Sequence, residues 1–568
     1  MTAVTSSEPK LIVAIDFGTT FSGVAFAYSD TPEDKEVIST WPSGGNRTSD
    51  KVPSEIYYDR AAPDGYRWGF DIKPEQKRHQ WFKLPSLLDP SQILATQTSN
   101  LAKRYPSKTE LPPDYAGEPT TYVTDYLTAI RKHTMETLNR RYGRKFIEDT
   151  PIEYILTVPA VWSDRAKNAT FECARKAGMS SISCISEPEA AAVYTLGAIQ
   201  PNILRLDDNF VVCDAGGGTV DLITYKVTKL MPLVVEESVV GSGGLCGSTY
   251  LNRRFEEFLD DRIGKEVMAK VRPKARALMM KEFDEFIKRD FCDLSAQDEY
   301  IVNAPGIPET ETNGVQEGLL IITRAEVRTI FEPVITEVQE LVLNQIRDVE
   351  HSHGRVAAVL LVGGFGASEY LRKRLQLCVE AEVMQPKNAW TAVVRGALQR
   401  GLEGPLISHR QARRHYGIKY WCKFREGIDP ESNRTWDEFE GAYKCNNLMS
   451  WYLKKGDKVA DTKAVSLPWY KTRDMNSDLS CEEIDIYCCA SDKVPTYKDS
   501  DTFRLCKLRA NLSSIPKSKF ERKKSATAGQ PERLILSYSV EMTMDSAAIS
   551  FRLVIDGVEY GSVKTEFV

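Results

Sequence analysis

The sequence predicts an α/β protein with mixed sheets over residues 1–403, followed by a smaller all-β domain over residues 421–568. Strand-like and helix-like patterns alternate through the first segment, which is typical of α/β architecture. The last segment has apolar residues at every other position, which predicts strands. Two similar apolar hairpin patterns also lie in the first segment, from Leu11 to Tyr28 and from Phe210 to Val227.

Standard signals mark the strands and helices of the first segment. The run from Tyr154 to Trp162 is a buried-strand pattern, and Pro188 stands at a favoured first-turn position of the next helix. Thr323 and Glu326 form a capping box in front of a long amphipathic helix. A further apolar strand begins at Val356. Strands and helices therefore follow one another as expected for mixed sheets covered by helices.

The composition changes after this segment. Residues 404–420 are basic and contain Gly and Pro, which indicates a linker. Alternating apolar positions at 534–555 predict two antiparallel strands, and Asp556 and Gly557 fit a tight hairpin turn. We therefore place the all-β domain at 421–568.

Composition excludes several classes of protein. The chain is 42% hydrophobic and 27% charged with a net charge of −5, which argues against a nucleic-acid-binding surface. The N-terminus lacks a secretory signal pattern, and no run reaches the roughly 20 apolar residues needed to span a bilayer. The twelve cysteines are scattered without a CxxC pair, which favours reduced thiols. We expect a cytoplasmic protein with no nucleic-acid or membrane partner.

The two hairpin tips have the residue types that phosphate binding requires. Glycine lets backbone N–H groups approach a phosphate closely, and threonine hydroxyls add donors. An aspartate at the end of the first strand can hold Mg²⁺, mostly through water. The first tip contains Asp16, Gly18, Thr19 and Thr20, and the second contains Asp214, Gly216, Gly217, Gly218, Thr219 and Asp221. One tip alone would fit an ordinary turn, but two tips favour a nucleotide site.

Five separated motifs then carry a resemblance to a known family. They are the first hairpin, "TVPAVWSD", "SEPEAAA", "DAGGGTVD" and "LVGGFG". In this order they resemble the actin-like ATPase domain of the seventy-kilodalton heat-shock protein family, over about residues 10–400. The resemblance implies a two-lobed fold with duplicated, ribonuclease H-like halves. Each half would contribute one hairpin to a single cleft that holds ATP or ADP with Mg²⁺.

The resemblance also implies roles for individual residues. The implied catalytic residues are Lys73, Glu187, Asp214 and Thr219. The implied metal-binding residues, acting mostly through water, are Asp16, Asp214 and Asp221. The implied nucleotide-binding residues are Asp16, Gly18, Thr19, Thr20, Gly216, Gly217, Gly218, Thr219, Gly244, Gly247, Lys288, Arg289, Gly363, Gly364 and Phe365. Lys73 is assigned because it follows Gly69 at the family's spacing, and a solvated surface lysine is the alternative.

The chain departs from the family pattern on the adenosine side. Phe365 and Ala367 stand where the family has Ser and Arg, so the guanidinium that stacks on the base is missing. Ser248 replaces a glutamate that binds ribose. Phe365 could stack on the base instead, or it could be a core residue. The residues that contact phosphate thus match the family better than those that contact the base.

The all-β domain resembles the family's peptide-binding β-sandwich, and we expect extended peptides or client proteins as its partners. The chain ends without a helical lid, so an open groove would hold a peptide as an added strand.

The sequence is compatible with three functions. The first is a slow Mg-ATP hydrolase with chaperone-like activity, in which nucleotide opens and closes the two lobes. The second is a nucleotide-bound scaffold with little hydrolysis, and the third is a small-molecule kinase of the same superfold.

Overall fold

The computed structural model describes the chain as two compact units, Met1–Leu406 and Ile407–Val568, which are taken separately below. The residues described are 8–45, 48–73, 76, 78–83, 101, 104, 119–160, 162–198, 204–230, 233–292, 298–310, 312–352, 354–460, 463–475, 477, 482–513, 515–544, 549–560 and 564–567.

The first unit combines strands with helices. Its strands are β1 (Leu11–Asp16), β2 (Phe21–Tyr28), β3 (Glu36–Val37), β4 (Val52–Pro53), β5 (Glu55–Tyr58), β6 (Tyr66–Trp68), β7 (His79–Gln80), β8 (Ile152–Val158), β9 (Ile182–Ser186), β10 (Asn209–Ala215), β11 (Val220–Leu230), β12 (Leu233–Gly244), β13 (Glu299–Asn303), β14 (Val315–Gln316), β15 (Leu319–Thr323), β16 (Val356–Val362) and β17 (Glu382–Met384). Its α-helices are α1 (Pro119–Tyr142), α2 (Arg144–Asp149), α3 (Asp164–Lys176), α4 (Glu187–Ala198), α5 (Thr249–Ile263), α6 (Lys265–Met268), α7 (Pro273–Glu282), α8 (Lys288–Asp290), α9 (Arg324–Ser352), α10 (Glu369–Cys378) and α11 (Ala392–Glu403). Short 3₁₀ turns occupy Gly69–Asp71 and Ala389–Thr391, and a π-helical turn occupies Phe283–Ile287.

Two main sheets of this unit have the same strand order. The first lobe contains β3-β2-β1-β8-β9, and the second lobe contains β12-β11-β10-β16-β17. In both sheets the central hairpin is antiparallel, whereas the strands on its other side are parallel to it. This repetition confirms the predicted two-lobed, duplicated fold. Each lobe places one glycine-containing hairpin tip at the end of its central strand.

The central strands are buried along their whole length. All six residues of β1 and all seven of β10 are buried, as expected for strands covered on both faces. The long helix α9 lies against the second sheet and buries one apolar stripe. The predicted capping box precedes it, because the Thr323 N–H donates to Glu326 Oε2 at 2.8 Å and the Glu326 N–H donates to Thr323 Oγ1 at 3.3 Å. The sequence therefore specifies where this helix begins.

The second unit is a β-sandwich, which confirms the predicted β-rich domain. Its strands are β18 (Ile407–Gln411), β19 (His415–Lys423), β20 (Arg434–Asp437), β21 (Ala442–Leu453), β22 (Lys458–Ala460), β23 (Val465–Asp474), β24 (Glu482–Cys489), β25 (Thr502–Ala510), β26 (Phe520–Lys523), β27 (Arg533–Met544), β28 (Ile549–Ile555), β29 (Val558–Glu559) and β30 (Lys564–Phe567), with 3₁₀ turns at Glu431–Asn433 and Lys517–Lys519. One sheet has the order β20-β21-β19-β24-β25-β30, and the other has β23-β27-β28-β29 with β26 beside β27. Apolar residues of both sheets form one core.

Two details of this unit bear on the sequence analysis. The turn between β28 and β29 has φ of 49° at Asp556 and 79° at Gly557, as a tight hairpin with two left-handed residues requires. We interpreted residues 404–420 as a linker. In the structure most of this segment belongs to the strands β18 and β19. Gly404 and Pro405 precede β18, and Gly417 lies within β19. Among the described residues, no helix is long and apolar enough to cross a bilayer.

Helices α4 and α11 pack so closely that a glycine is required between them. A Cβ added at Gly396 of α11 would lie 1.6 Å from the carbonyl oxygen of Ala190 in α4, whereas one added at Gly197 would meet only Gln399 Nε2, at 3.9 Å. We expect Gly396→Ala to destabilise the unit by about 3 kcal/mol, because the helices must separate. Gly197→Ala is the matched control and should stay within about 1 kcal/mol of wild type. Urea midpoints measure both, and equal midpoints for the two variants would contradict this packing.

Candidate functional site

A cleft lies where the two hairpin tips meet. Its lining residues are Asp16, Gly18, Thr19, Thr20, Phe21, Lys51, Lys83, Glu187, Asp214, Gly216, Gly217, Gly218, Thr219, Gly363, Gly364, Trp390 and Val393. The structure thus brings together both predicted tips, the glutamate of "SEPEAAA" and the glycine pair of "LVGGFG". Two lysines and Trp390 join them without having been predicted from the sequence.

The first tip is held in place by a neighbouring serine. The Ser54 N–H donates to the Thr20 carbonyl at 2.8 Å, and Ser54 Oγ donates to the Gly18 carbonyl at 2.7 Å. A Cβ on Gly18 would lie 2.1 Å from the Phe21 carbonyl oxygen, so the turn tolerates only glycine at this position. The tip is therefore built tightly enough to present Thr19 and Thr20 to the cleft.

The second tip is anchored by the start of helix α5. The carbonyls of Gly216, Gly217 and Gly218 accept hydrogen bonds of 3.1, 2.8 and 3.2 Å from the N–H groups of residues 248, 249 and 247, respectively. In a trans peptide the C=O and N–H groups point in opposite directions. The N–H groups of residues 217–219 therefore point away from the helix, toward the cleft that these residues line. Three consecutive amides on a concave surface are an anion-binding arrangement.

The two tips approach each other so closely that side chains are excluded. A Cβ on Gly217 would lie 2.3 Å from Thr20 Oγ1, on the tip of the other lobe. Gly363 has φ of +90°, and a Cβ there would lie 2.4 Å from Asp214 Oδ1. These glycines keep the floor of the cleft open and bring backbone within reach of a bound group.

A buried lysine–glutamate pair faces the tips. Lys83 Nζ donates to Glu187 Oε1 at 2.8 Å, and the lysine side chain is only 3% exposed. Its ammonium also lies 4.9 Å from the ring centroid of Trp162 and 5.5 Å from that of Phe17. Lys83 is thus the cation that the cleft presents beside Glu187.

Lys73, which the sequence analysis assigned to this role, lies elsewhere. Its side chain is exposed, its N–H donates to Gln76 Oε1 at 2.8 Å, and it does not line the cleft. The assignment depended on spacing from Gly69 alone. No local pattern marks Lys83, because its burial depends on Glu187, Trp162 and Phe17, which are distant in the sequence.

A second buried lysine contacts the first tip. Lys51 Nζ lies 2.5 Å from Asp16 Oδ2, and the two side chains are 8% and 6% exposed. Thr157 Oγ1 donates to the other carboxylate oxygen of Asp16 at 3.0 Å. Each carboxylate oxygen of Asp16 therefore accepts one hydrogen bond at the end of β1, from a cation or from a hydroxyl group.

Two carboxyl groups that line the cleft, those of Glu187 and Asp214, have raised pKa values. Burial raises the pKa of Glu187 to about 7, although the nearby Lys83 ammonium opposes the shift. Burial also raises the pKa of Asp214 well above its usual range, and the neighbouring carboxylates of Glu187, Asp221 and Asp16 add to this effect. These groups gain protons readily, and such shifts are frequent at functional sites.

The other predicted residues surround the cleft without lining it. Phe365 is 3% exposed and belongs to the core of the second lobe. Of the two alternatives for this residue, stacking on the base and packing in the core, the structure shows the second. Its N–H donates to the Ala215 carbonyl at 2.9 Å. Lys288 forms an ion pair with Asp284, and the Arg289 guanidinium lies 5.8 Å from the Trp390 ring centroid.

Three more predicted residues support the second tip. Asp221 is buried and pairs in register with Asp214, and Gly244 pairs with Val220 at the end of β12. A Cβ on Gly247 would lie 2.4 Å from the Gly217 carbonyl oxygen, so this glycine lets α5 approach the tip.

Trp390 and Phe21 are the aromatic residues among those that line the cleft. A Cβ on Gly364 would lie 3.3 Å from its Cδ1, and Phe21 meets its ring edge-to-face at a centroid distance of 5.6 Å. The half-buried indole therefore stands beside Gly364, one of the implied nucleotide-binding residues.

Comparison with known proteins identifies the family. The family model described as "Hsp70 protein" matches residues 97–405, which is more than half of the chain. The chain belongs to the Hsp70 family. It is 22% identical to heat shock 70 kDa protein 12A of Mus musculus and of Homo sapiens, over 89% of this chain and 85% of each relative. It is 23% identical to heat shock 70 kDa protein 12B of Homo sapiens, over 85% of this chain and 81% of the relative. Residues 410–566 match a domain of unknown function, DUF8568.

The Hsp70 family implies nucleotide and Mg²⁺, and the cleft fits both. Within the described residues, no group of three or more His, Cys, Asp or Glu could hold a metal ion by itself. Mg²⁺ is commonly held by one or two carboxylates together with water and substrate phosphates, so a sparse protein shell suits it. Asp16 and Asp214 line the cleft and are the residues that would hold the ion. The glycine floor leaves room for the phosphates.

The raised pKa of Glu187 predicts a dependence of stability on pH. Because the pKa is about 7 in the folded chain and 4.5 in the reference state, proton binding favours the folded state. Wild-type protein loses this contribution as the pH rises from about 4.5 to about 7, and Glu187→Gln has no such contribution to lose. The variant's free energy of unfolding, relative to wild type, should therefore increase between about pH 5 and pH 8 in urea titrations. The exposed Glu403→Gln is the control and should show no change, and a flat difference for Glu187→Gln would contradict the assignment.

Proposed function

We propose that this chain binds a magnesium nucleoside triphosphate in the cleft and hydrolyses it slowly, as a chaperone-like member of the Hsp70 family. The observation that supports this most directly is the meeting of two glycine-rich tips, one from each duplicated sheet, at a single cleft. The amides of residues 217–219 supply anion-binding donors, and Thr19 and Thr20 supply hydroxyls. A polyphosphate would lie between the lobes and contact both.

The proposed chemistry uses the residues that face the tips. When bound, Mg²⁺ would neutralise phosphate charge as it develops. Lys83 would stabilise the transferred phosphoryl group, since positive charge helps most where negative charge builds. Glu187, with a pKa of about 7, would accept a proton from the attacking water near neutral pH. Asp214 would orient that water from the second tip.

Lys83 and Lys73 provide a matched pair for testing this chemistry. We expect Lys83→Ala and Asp214→Asn to reduce phosphate release by about 100-fold or more, because each removes a group that acts in the transition state. Lys73→Ala should stay within about twofold of wild type, because its side chain is exposed outside the cleft. Single-turnover phosphate release with Mg-ATP measures all three. Equal losses for the two lysine variants would overturn the assignment of Lys83.

The same assay distinguishes the alternative functions. Tight Mg-ATP binding by calorimetry without phosphate release would favour a nucleotide-bound scaffold. Transfer that requires an added sugar or other alcohol would favour a kinase. Absence of any Mg-nucleotide binding by the wild-type protein would overturn the proposed function.

We further propose that the base lies against Trp390. The indole borders the cleft beside Gly364, and Phe365, the alternative stacking residue, is in the core. Arg289, whose guanidinium lies 5.8 Å from the centroid of this ring, would add a cation–π contact to the base. A flat indole surface accepts any base with a π-face, so purines should bind better than pyrimidines through their larger contact area.

Replacement of Trp390 separates base binding from phosphate binding. Trp390→Ala should weaken Mg-ATP binding about tenfold or more, because base–aromatic stacking contributes about 1–3 kcal/mol. Mg-tripolyphosphate binding should be unchanged, and Trp390→Phe should retain most of the ATP affinity. Calorimetry with the two ligands measures the difference. If Trp390→Ala binds ATP like wild type, the base lies elsewhere.

Nucleotide-dependent movement of the two lobes and peptide binding by the β-sandwich complete the proposed chaperone-like function. The tips belong to different lobes, so a ligand that contacts both would favour their closed arrangement. A peptide array screened with and without Mg-ATP would test whether nucleotide alters peptide binding.

A further inference from the structure

Lys51 is a buried cation in the phosphate-binding part of the cleft that the proposed chemistry does not use. Its ammonium lies 2.5 Å from Asp16 Oδ2, and it lines the cleft beside Thr19 and Thr20. A buried ammonium costs several kcal/mol unless it is compensated, so its presence requires an explanation. One carboxylate supplies only part of that compensation.

The backbone leads the side chain of Lys51 directly to this position. Lys51 precedes β4, which pairs with β2 through Ser22 and Val52. Gly23 of β2 stands opposite Asp16 in the hairpin register. A Cβ on Gly23 would lie 3.2 Å from Lys51 Cγ and 3.4 Å from its Cε, so the absent side chain leaves the channel that the lysine stem follows. Strands β2 and β4 therefore fix the position of the Lys51 side chain inside the cleft.

The ammonium has donors left for a ligand. It has three N–H groups, and its hydrogen bond among the described residues is to Asp16. The tip that it adjoins is where the phosphates of a bound triphosphate would lie. Lysine binds phosphate as a compact point charge and does not require the two-pronged geometry of arginine.

We propose that Lys51 is a built-in phosphate-binding cation that supplies part of the charge otherwise provided by Mg²⁺. This inference is based on the proposed nucleotide function and concerns the same cleft. By pairing with Asp16, Lys51 removes the repulsion between that carboxylate and a polyphosphate. Its remaining donors bind phosphate oxygens directly. The chain consequently retains much of its triphosphate affinity when the divalent cation is removed.

Calorimetry with ATP and with tripolyphosphate, each in excess Mg²⁺ and in EDTA, tests this inference. Wild-type protein should lose less than about tenfold in affinity on removal of Mg²⁺, which corresponds to about 1.4 kcal/mol. Lys51→Met keeps the approximate length of the side chain without its charge. Its loss of affinity relative to wild type should be at least about tenfold larger in EDTA than in Mg²⁺. Lys51→Arg should behave like wild type in both conditions. Lys35→Met, which removes an exposed lysine paired with Glu403, is the control for net charge.

The possible failures are distinguishable. Binding in Mg²⁺ with none in EDTA, measured on wild-type protein alone, would overturn the role of Lys51 and leave the proposed function intact. The same conclusion would follow if Lys51→Met and wild type depended equally on Mg²⁺. Absence of binding in both conditions would overturn the proposed function itself. Because the wild-type measurement is decisive, the test does not depend on the folding of Lys51→Met.

Discussion

The cleft depends on three backbone hydrogen bonds between the second tip and the start of helix α5. These bonds turn the carbonyls of residues 216–218 toward the helix, and planar trans peptides then turn the following amides toward the cleft. A side chain on Gly247 would separate the helix from the tip and release the carbonyls. The concave surface of three amides is therefore a consequence of helix packing. It requires glycine on both sides of the contact, and its donors are backbone N–H groups.

Electrostatics in the cleft are balanced by two buried pairs, Lys51 with Asp16 and Lys83 with Glu187. Without these lysines, the carboxylates around the tips would repel a polyphosphate. Asp214 also lines the cleft, and its raised pKa reduces its negative charge. The cleft can thus accept an anion while it keeps carboxylate oxygens available for a hydrated cation. Buried ion pairs contribute little net stability, so a functional reason for them is favoured.

The sequence predicted the parts of the molecule that follow from local pattern. Both tips, the capping box at Thr323 and the turn at Asp556 depend on residue types at short spacing. Lys83, Lys51 and Trp390 could not be found in this way, because their positions in the cleft depend on how distant strands and turns pack. Spacing from Gly69 selected an exposed lysine ten residues before the buried one. Phe365 fitted stacking or core packing equally until the fold placed its side chain in the core of the second lobe.

The duplicated sheets present equivalent tips, but the charges around them are different. The first tip has an engaged carboxylate, because Asp16 is bound by Lys51 and Thr157. The second has Asp214, with a raised pKa and a glycine at closest approach. A triphosphate between them would meet fixed positive charge on one side and a protonatable carboxyl on the other. The repeated strand order makes the backbones of the two tips alike, whereas chemistry with a direction requires that their side chains differ. Lys51, which lies against Gly23, is the clearest such difference between the two tips.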